Sequence, residues 1–166
     1  MLIREDIVTR ASPERIWELL SDPSLHGLWN PHVVSTEAWG SSTPGTGSRY
    51  RVTYELSGKQ SEFDAEITEF SPPLRFAARL EERVKADGKN WQRFVEERYR
   101  VTRRGQGAHV RHEVRIHHSG INVFWRILIW LILRTGKPQG QTIMERFRLL
   151  AEGEASPAAL MAGGAR

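Results

Sequence analysis

Three ionisable residues with a strand-like spacing are the first candidates for chemistry in this chain. Arg93 and Glu97 lie four positions apart in one strand-like segment, and His112 lies in the next such segment. Because side chains alternate between the two faces of a strand, all three are predicted to face the inner side of a sheet. If the chain turns between residues 103 and 106, Glu97 falls opposite or diagonal to His112, within reach of a hydrogen bond. A carboxylate that orients an imidazole is the usual arrangement of a general base, so Glu97 and His112 are the candidate catalytic pair.

A second interpretation of these three residues stays open. A strand bulge that shifts the alternation by one residue would place all three side chains in solvent. If the alternation holds, Arg93 lies nearer the rim of the inner space, where its guanidinium could meet a carboxylate or phenolate.

The sequence offers little support for other catalytic centres. It contains no cysteine, which excludes disulfides, thiolate metal ligands and a cysteine nucleophile. His112 and His118 would stand about 20 Å apart on one strand face, so we expect no metal site. Neither a glycine-rich phosphate loop nor a Gly-x-Ser-x-Gly motif is present, and no cofactor is expected.

The elements that must position these side chains are mainly strands. Residues 48–56 alternate strictly between apolar and polar side chains, and residues 63–67 repeat the pattern until two prolines end the strand. Asp87-Gly88 and the segment 103–107 are turn signals between the later strands. The pattern predicts a run of consecutive hairpins, and therefore an antiparallel meander.

Helices are predicted on both sides of this meander. Ser12 can cap a helix whose first residue is Pro13, and Asp22-Pro23 should end it. A second, amphipathic helix is predicted between residues 141 and 150, because apolar residues recur there on one helical face.

The length and charge of the chain indicate one domain with a mixed surface. We expect a single domain over residues 1–152 and a disordered tail over residues 153–166. The net charge is +4, but the arginines of the late strands alternate with glutamates in the same outward phase, so no nucleic-acid partner is expected. Charged residues near the start interrupt the apolar run that a signal peptide needs, so we expect a cytoplasmic protein. A monomer or a homodimer is expected.

Residues 121–133 read INVFWRILIWLIL, and eleven of the thirteen side chains are apolar. As a helix this segment would span about 20 Å, whereas a bilayer core needs about 30 Å, so no transmembrane span is predicted. Asn122 and Arg126 give it only a narrow polar sector, so it must be covered on most sides. It is either an ordinary core helix or the wall of an apolar pocket, to which Trp125 and Ile129 would contribute. Peripheral contact with a membrane surface is a third interpretation.

The order of predicted elements resembles the helix-grip arrangement of the START-like, or SRPBCC, superfamily, and within it the polyketide cyclase/dehydrase-like group. The segments that carry the likeness, within residues 3–152, are ASPERIWELLSD at 11–22, WNPH at 29–32, the turn at 45–47 and EFSPPLR at 69–75. The resemblance implies an α+β fold in which a curved seven-stranded antiparallel sheet wraps around a long C-terminal helix, with two short helices after the first strand. The Gly136-Lys137-Pro138 segment departs from this pattern, because it would interrupt the long helix.

The resemblance also implies a deep cavity between the sheet and the C-terminal helix, which the family uses for lipids, polyketides and other apolar small molecules. The side chains predicted to line it are Trp29, His32, Tyr50, Tyr54, Phe63, Phe76, Trp91, Arg93, Tyr99, Trp125 and Ile129. The same set would also describe a filled core, and Trp29 in particular is expected to anchor its helix to the sheet.

Two functions follow as hypotheses. The first is the binding or carriage of a small apolar molecule, lipid-like or polyketide and aromatic in kind. The second is a polyketide cyclase/dehydrase-like enzyme in which His112 and Glu97 act as the acid and base. A carrier retains its ligand stoichiometrically, whereas such an enzyme shows a bell-shaped pH dependence. An interaction module that docks a partner protein or a membrane face through an apolar helix is a weaker third possibility.

Overall fold

Seven strands and three helices form the part of the chain that the computed structural model describes, which is residues 2–39, 43–56, 58–82, 93–118, 142–154 and 156. In chain order they are β1 (Leu2–Thr9), α1 (Pro13–Ser21), a 3-10 turn (Pro23–Leu25), α2 (His26–Trp29), β2 (Val33–Trp39), β3 (Arg49–Leu56), β4 (Lys59–Ser71), β5 (Arg75–Glu82), β6 (Arg93–Arg104), β7 (Gly107–His118) and α3 (Ile143–Ala151).

The strands form one curved antiparallel sheet in the order β1-β7-β6-β5-β4-β3-β2. Strands β2 to β7 are neighbours in chain order, which confirms the predicted meander. β1 pairs with β7 and so places the start of the chain beside its last strand. The α+β class, the seven-stranded sheet and the two short helices after the first strand are confirmed.

The ladders around the candidate residues are regular. β6 pairs with β7 without interruption, from Arg93 opposite His118 to Arg104 opposite Gly107. β5 pairs with β6 in the same unbroken way. The possibility that a bulge in this hairpin turns the candidate residues to solvent is therefore wrong.

Register shifts occur elsewhere in the sheet. One lies in β2 between Val33 and Ser35, and the other lies in β4 between Ile67 and Glu69. An extra residue in a strand reverses its alternation from that point onward. In β4 this brings Phe70 opposite Phe76, with their ring centroids 6.4 Å apart.

Both ends of α1 have the predicted chemistry, and α3 has a side-chain cap that was not predicted. The Ser12 side chain accepts a hydrogen bond from Arg15 N at 3.2 Å, and α1 ends before Asp22. α3 begins with a capping box, in which Thr142 Oγ1 accepts from Glu145 N and the Glu145 carboxylate accepts from Thr142 N. Side-chain caps satisfy amide groups that a helix end leaves unpaired, which fixes where each helix starts.

The core lies between the inner face of the sheet and the three helices. α3 packs against β1 and against α1 and α2. The largest fully buried side chains come from both layers: Trp29, Phe76, Phe147, Ile16, Leu20, Ile67, Met144, Val52, Val110 and Pro13. Each large apolar side chain buried in this way contributes about 1.5 to 3 kcal/mol to stability.

The outer face of the sheet carries both signs of charge. Arg98 lies 3.8 Å from the carboxylate of Glu96, and Arg4 lies 2.7 Å from that of Glu113. The predicted mixed ladder is confirmed by these pairs. Exposed pairs of this kind stabilise a fold by about 0 to 1 kcal/mol each, so they matter more for surface charge than for stability.

Three predictions fall outside the described residues: the turn at Asp87-Gly88, the apolar segment 121–133 and the interruption at 136–138. The end of the domain at residue 152 stays a prediction.

A carboxylate at the end of α3 joins the two ends of the described fold. Glu152 accepts hydrogen bonds from Thr9 Oγ1 at 2.8 Å and from Arg10 N at 2.7 Å, and its side chain is 7% exposed. Burial opposes the charge of this carboxylate, but the hydrogen bonds from Arg10 and Thr9 outweigh it and lower the pKa of Glu152 below its ordinary value of 4.5. The end of β1 is thereby fastened to the C-terminal helix.

We expect the Glu152→Gln variant to lose about 2 kcal/mol of unfolding free energy at pH 7, because a charged acceptor of two hydrogen bonds becomes a neutral one. Since the pKa of Glu152 is lower in the folded state, its contribution is fully present above the unfolded pKa and is lost as the pH falls through the folded pKa. Urea unfolding from pH 7 down to pH 3 should therefore show the two proteins converging in stability at the acid end.

The matched control is Glu154→Gln, which removes the same charge two residues later. Glu154 is 41% exposed and its partner is the exposed Arg10 side chain, so its loss should change stability by about 0.5 kcal/mol or less. Equal losses in both variants would contradict the role given to Glu152.

Candidate functional site

The middle of β6 and β7 brings the candidate residues together on the inner face. Tyr99 lies directly opposite His112, and their rings stack with centroids 4.3 Å apart and planes 6° from parallel. Glu97 lies opposite Val114 and is therefore diagonal to His112, as predicted. The Tyr99 hydroxyl donates a hydrogen bond to Glu97 Oε2 at 3.4 Å, which is long for such a contact.

The predicted hydrogen bond between Glu97 and His112 is not formed. His112 Nδ1 lies 3.9 Å from a carboxylate oxygen of Glu5, and His112 Nε2 is buried without a partner among the described residues. The physical reason is the position of Tyr99. Its ring covers one face of the His112 imidazole, and its hydroxyl donates a hydrogen bond to the Glu97 carboxylate. Tyr99 thus links the two residues that the sequence pattern paired directly.

Two further tyrosines on β3, Tyr50 and Tyr54, extend this group. Burial, and after it the negative charge of Glu97, raises the pKa of Tyr50 far above its ordinary value. The same two causes, in the same order, raise the pKa of Tyr54 and of Tyr99. All three phenols are therefore neutral hydrogen-bond donors at physiological pH, gathered around one carboxylate.

His26 is a member of this group that the sequence patterns did not select. Its imidazole is 7% exposed and packs against Trp29, Tyr50 and Phe76, with centroid separations of 5.2, 6.4 and 6.3 Å. Burial lowers the pKa of His26, although Leu20 O and the charge of Glu97 act in the opposite direction. The one sequence signal was a histidine among apolar residues in Leu25-His26-Gly27-Leu28-Trp29, without a strand or helix period to orient it.

We call His26, Tyr50, Tyr54, Glu97, Tyr99 and His112 the polar cluster. It combines two imidazoles, three phenols and one carboxylate on the inner side of the sheet. Apolar neighbours surround it in the ladder, with Ala78 and Val114 on either side of Glu97 and Ala65 opposite Tyr50.

Several residues predicted as pocket lining serve in packing. Trp29 is 1% exposed, and its ring meets Phe147 of α3 edge-on at 5.1 Å and Tyr99 at 6.3 Å. Its Nε1 donates to Leu19 O of α1 at 3.3 Å. The contact with Tyr99 of β6 is the one that the predicted anchoring of α2 to the sheet requires. Phe76 is likewise 1% exposed and lies at the centre of an aromatic group.

The other predicted lining residues are more scattered. Phe63 is partly buried and meets Tyr54 edge-on at 5.5 Å. His32 lies in the turn immediately before β2, with Nδ1 3.3 Å from Glu55 O. The Arg93 backbone begins β6, but its side chain is not among the described parts. Trp91, Trp125 and Ile129 lie outside the described residues.

Other candidate sites are weaker. Within the described ranges no three His, Asp or Glu side chains converge as metal ligands. A surface groove of about 620 Å³ opens where β1, the β6–β7 turn and α3 meet. Its wall includes Glu152 and Arg10, whose contacts already fasten the chain ends together. The polar cluster therefore remains the candidate site.

No helix among the described residues is long and apolar enough to cross a bilayer. The cytoplasmic location and the monomer or homodimer stay predictions.

Solved structures share this fold at low sequence identity. The protein TTHA0849 from Thermus thermophilus is 17% identical, with a TM-score of 0.68 over 94% of this chain and 100% of that one. A START superfamily protein from Mycobacterium smegmatis is 14% identical, with a TM-score of 0.63 over 93% and 99% of the two chains. The major latex-like protein 151 from Panax ginseng is 10% identical, with a TM-score of 0.58 over 90% and 97%. At these identities the likeness shows a common helix-grip fold.

The sequence itself identifies the family. No curated protein matches the chain. Residues 2–129 match the family described as "Polyketide cyclase / dehydrase and lipid transport", which is more than half of the 166 residues. The chain therefore belongs to the polyketide cyclase/dehydrase and lipid transport family, in the START-like superfamily that the sequence motifs indicated.

Proposed function

We propose that this protein binds and carries a small apolar molecule on the concave side of the sheet, above the polar cluster. The observation that carries the proposal is the Glu97 carboxylate. It faces the inner side of the sheet with one long hydrogen bond, from Tyr99, and with no basic partner among the described residues. A carboxylate on the inner face with unoccupied acceptor positions can bind a polar group of a ligand.

The surroundings of Glu97 suit an apolar ligand. Binding pockets for small molecules are mainly apolar and aromatic, with a few polar groups that fix orientation. The inner faces of β3, β4, β5 and β6 provide this composition through the tyrosines, Phe76 and the small residues Ala65 and Ala78. The family description, which includes lipid transport, supports the same class of ligand.

The enzyme hypothesis has less support from the geometry. A general base needs a group that orients it, and neither nitrogen of His112 is hydrogen bonded to Glu97. His112 instead stacks on Tyr99, which suits a residue that shapes the floor of a pocket. Carriage is therefore the function that the described residues favour.

A cavity-filling substitution at Val114 tests the proposal. Val114 lies between Glu97 and Ile3 on the inner face and is only partly buried. An indole at this position would occupy the space that the ligand needs. We expect Val114→Trp to bind the neutral apolar dye Nile red about a hundredfold more weakly than the wild type, measured by fluorescence titration.

The matched control is Arg115→Trp, which introduces the same indole one residue later, on the exposed outer face. It should remain folded and bind Nile red as the wild type does. Circular dichroism must show that both variants keep the fold. A wild type that takes up no dye, or a Val114→Trp variant that binds it unchanged, would overturn the proposed function.

A further inference from the structure

From the arrangement of donors and acceptors in the polar cluster, we infer that the bound molecule presents a hydroxyl group, of an alcohol or a phenol, which donates its hydrogen to Glu97. This inference rests on the proposed function and specifies the polar end of its ligand. A carboxylate ligand, which the sequence suggested through Arg93, is disfavoured at this position.

Glu97 can accept more hydrogen bonds than it receives from the described residues. A carboxylate offers about four lone-pair positions and no donor. The Tyr99 hydroxyl occupies one of them at 3.4 Å, and no arginine or lysine in the described part of the chain forms an ion pair with Glu97. A ligand that donates a hydrogen bond would satisfy this carboxylate, whereas a second carboxylate would be repelled by it.

His26 supplies a second acceptor. Its Nε2 lies 3.0 Å from Leu20 O, and a carbonyl oxygen can only accept, so Nε2 carries the hydrogen. In a neutral imidazole the other nitrogen, Nδ1, is then an acceptor. The ring is held in this orientation by the backbone of α1 and by its packing against Trp29, Tyr50 and Phe76.

The tyrosines distinguish a hydroxyl from an ammonium group. Tyr50 and Tyr54 are neutral phenols whose hydroxyls form no hydrogen bond within the described ranges, so each can donate to a ligand. An alcohol or phenol oxygen accepts from such a donor while its own hydrogen goes to an acceptor. An ammonium group can only donate, so it could not accept a hydrogen bond from Tyr50 or Tyr54.

A competition experiment on the full chain tests this inference. The probes are 2-naphthol and 2-naphthoate, which share an apolar ring system and differ in the polar group, each displacing bound Nile red at pH 7. The wild type should prefer 2-naphthol by about tenfold or more. In Glu97→Gln this preference should fall by about tenfold, because the charge that favours the donor and repels the carboxylate is gone.

The control is Glu96→Gln, which removes the same charge one residue earlier, on the outer face beside Arg98. It should keep the preference of the wild type. If the wild type binds Nile red but prefers 2-naphthoate, binds both naphthalenes equally or binds neither, the inference is wrong and the apolar pocket stands. A wild type that binds no Nile red overturns the proposed function itself.

Discussion

The Trp29→Ala variant should lose about 4 kcal/mol of unfolding free energy, the largest effect that we expect from a single side chain in the described core. Trp29 is 1% exposed and lies where α2, α3 and β6 meet, in edge-on contact with Phe147 and Tyr99. Alanine would remove the indole from all these neighbours and leave a cavity that the surrounding strands can close only in part. The midpoint of urea unfolding should fall with little change in slope, and the melting temperature should drop by roughly 8 to 16 °C.

The conservative variant Trp29→Phe separates packing from hydrogen bonding. It keeps an aromatic ring but loses the Nε1 donor to Leu19 O, so we expect a smaller loss of about 1 to 2 kcal/mol. If alanine costs no more than phenylalanine at this position, Trp29 is not the anchor between α2 and the sheet that its contacts indicate.

The second large effect is expected at Gly107, the first residue of β7. A Cβ atom added there would lie 2.1 Å from Thr9 O and 3.0 Å from the Cα of Arg10, both of which are backbone atoms. Because no side-chain rotation can relieve this contact, Gly107→Ala must push the end of β1 away from β7, at a cost of about 3 kcal/mol. Thermal and urea unfolding measure this loss directly.

The same displacement should reach the contacts of Glu152, which accepts from Thr9 and Arg10. We therefore expect the Gly107→Ala background to reduce the effect of Glu152→Gln. The control is Gly45→Ala, where an added Cβ meets nothing within 4 Å. It should change stability by about 0.5 kcal/mol or less, and a similar result for Gly107→Ala would mean that the end of β1 and the start of β7 do not lie as close together as described.

In the polar cluster, the alternation of side chains along the strands predicted which residues share a face but did not predict which of them are in contact. Alternation in β6 and β7 correctly placed Glu97, Tyr99 and His112 on one face, because a regular ladder leaves no freedom in side-chain direction. It could not tell that Tyr99 would be opposite His112 with the rings stacked. Whether these two rings stack depends on the register between β6 and β7, which is fixed by the exact position of the hairpin turn.

His26 is a member of the polar cluster that the sequence patterns did not identify. It lies in a four-residue helix after a 3-10 turn, too short for any apolar period to indicate which face is buried. Its role follows from contacts with residues distant in the chain, Tyr50 on β3 and Phe76 on β5. Only the curvature of the sheet over α1 and α2 brings these rings together.

By itself the sequence determined the elements and the family of this protein. Capping residues and prolines set the limits of α1, and the alternation of apolar residues indicated β3 to β7 and their inner faces, because these signals act over a few neighbouring residues. The count of seven strands came from the family resemblance. The motifs of the first half of the chain were enough to indicate the START-like superfamily, to which the match over residues 2–129 assigns it.

The tertiary structure alone decided which polar side chains share one site. It replaced a direct pairing of Glu97 and His112 with a cluster in which Tyr99 stands between them and His26 joins from a helix. The reason is that a hydrogen bond forms or fails on differences of about a few tenths of an ångström in the donor–acceptor distance. That distance depends on strand register, bulges and helix packing together.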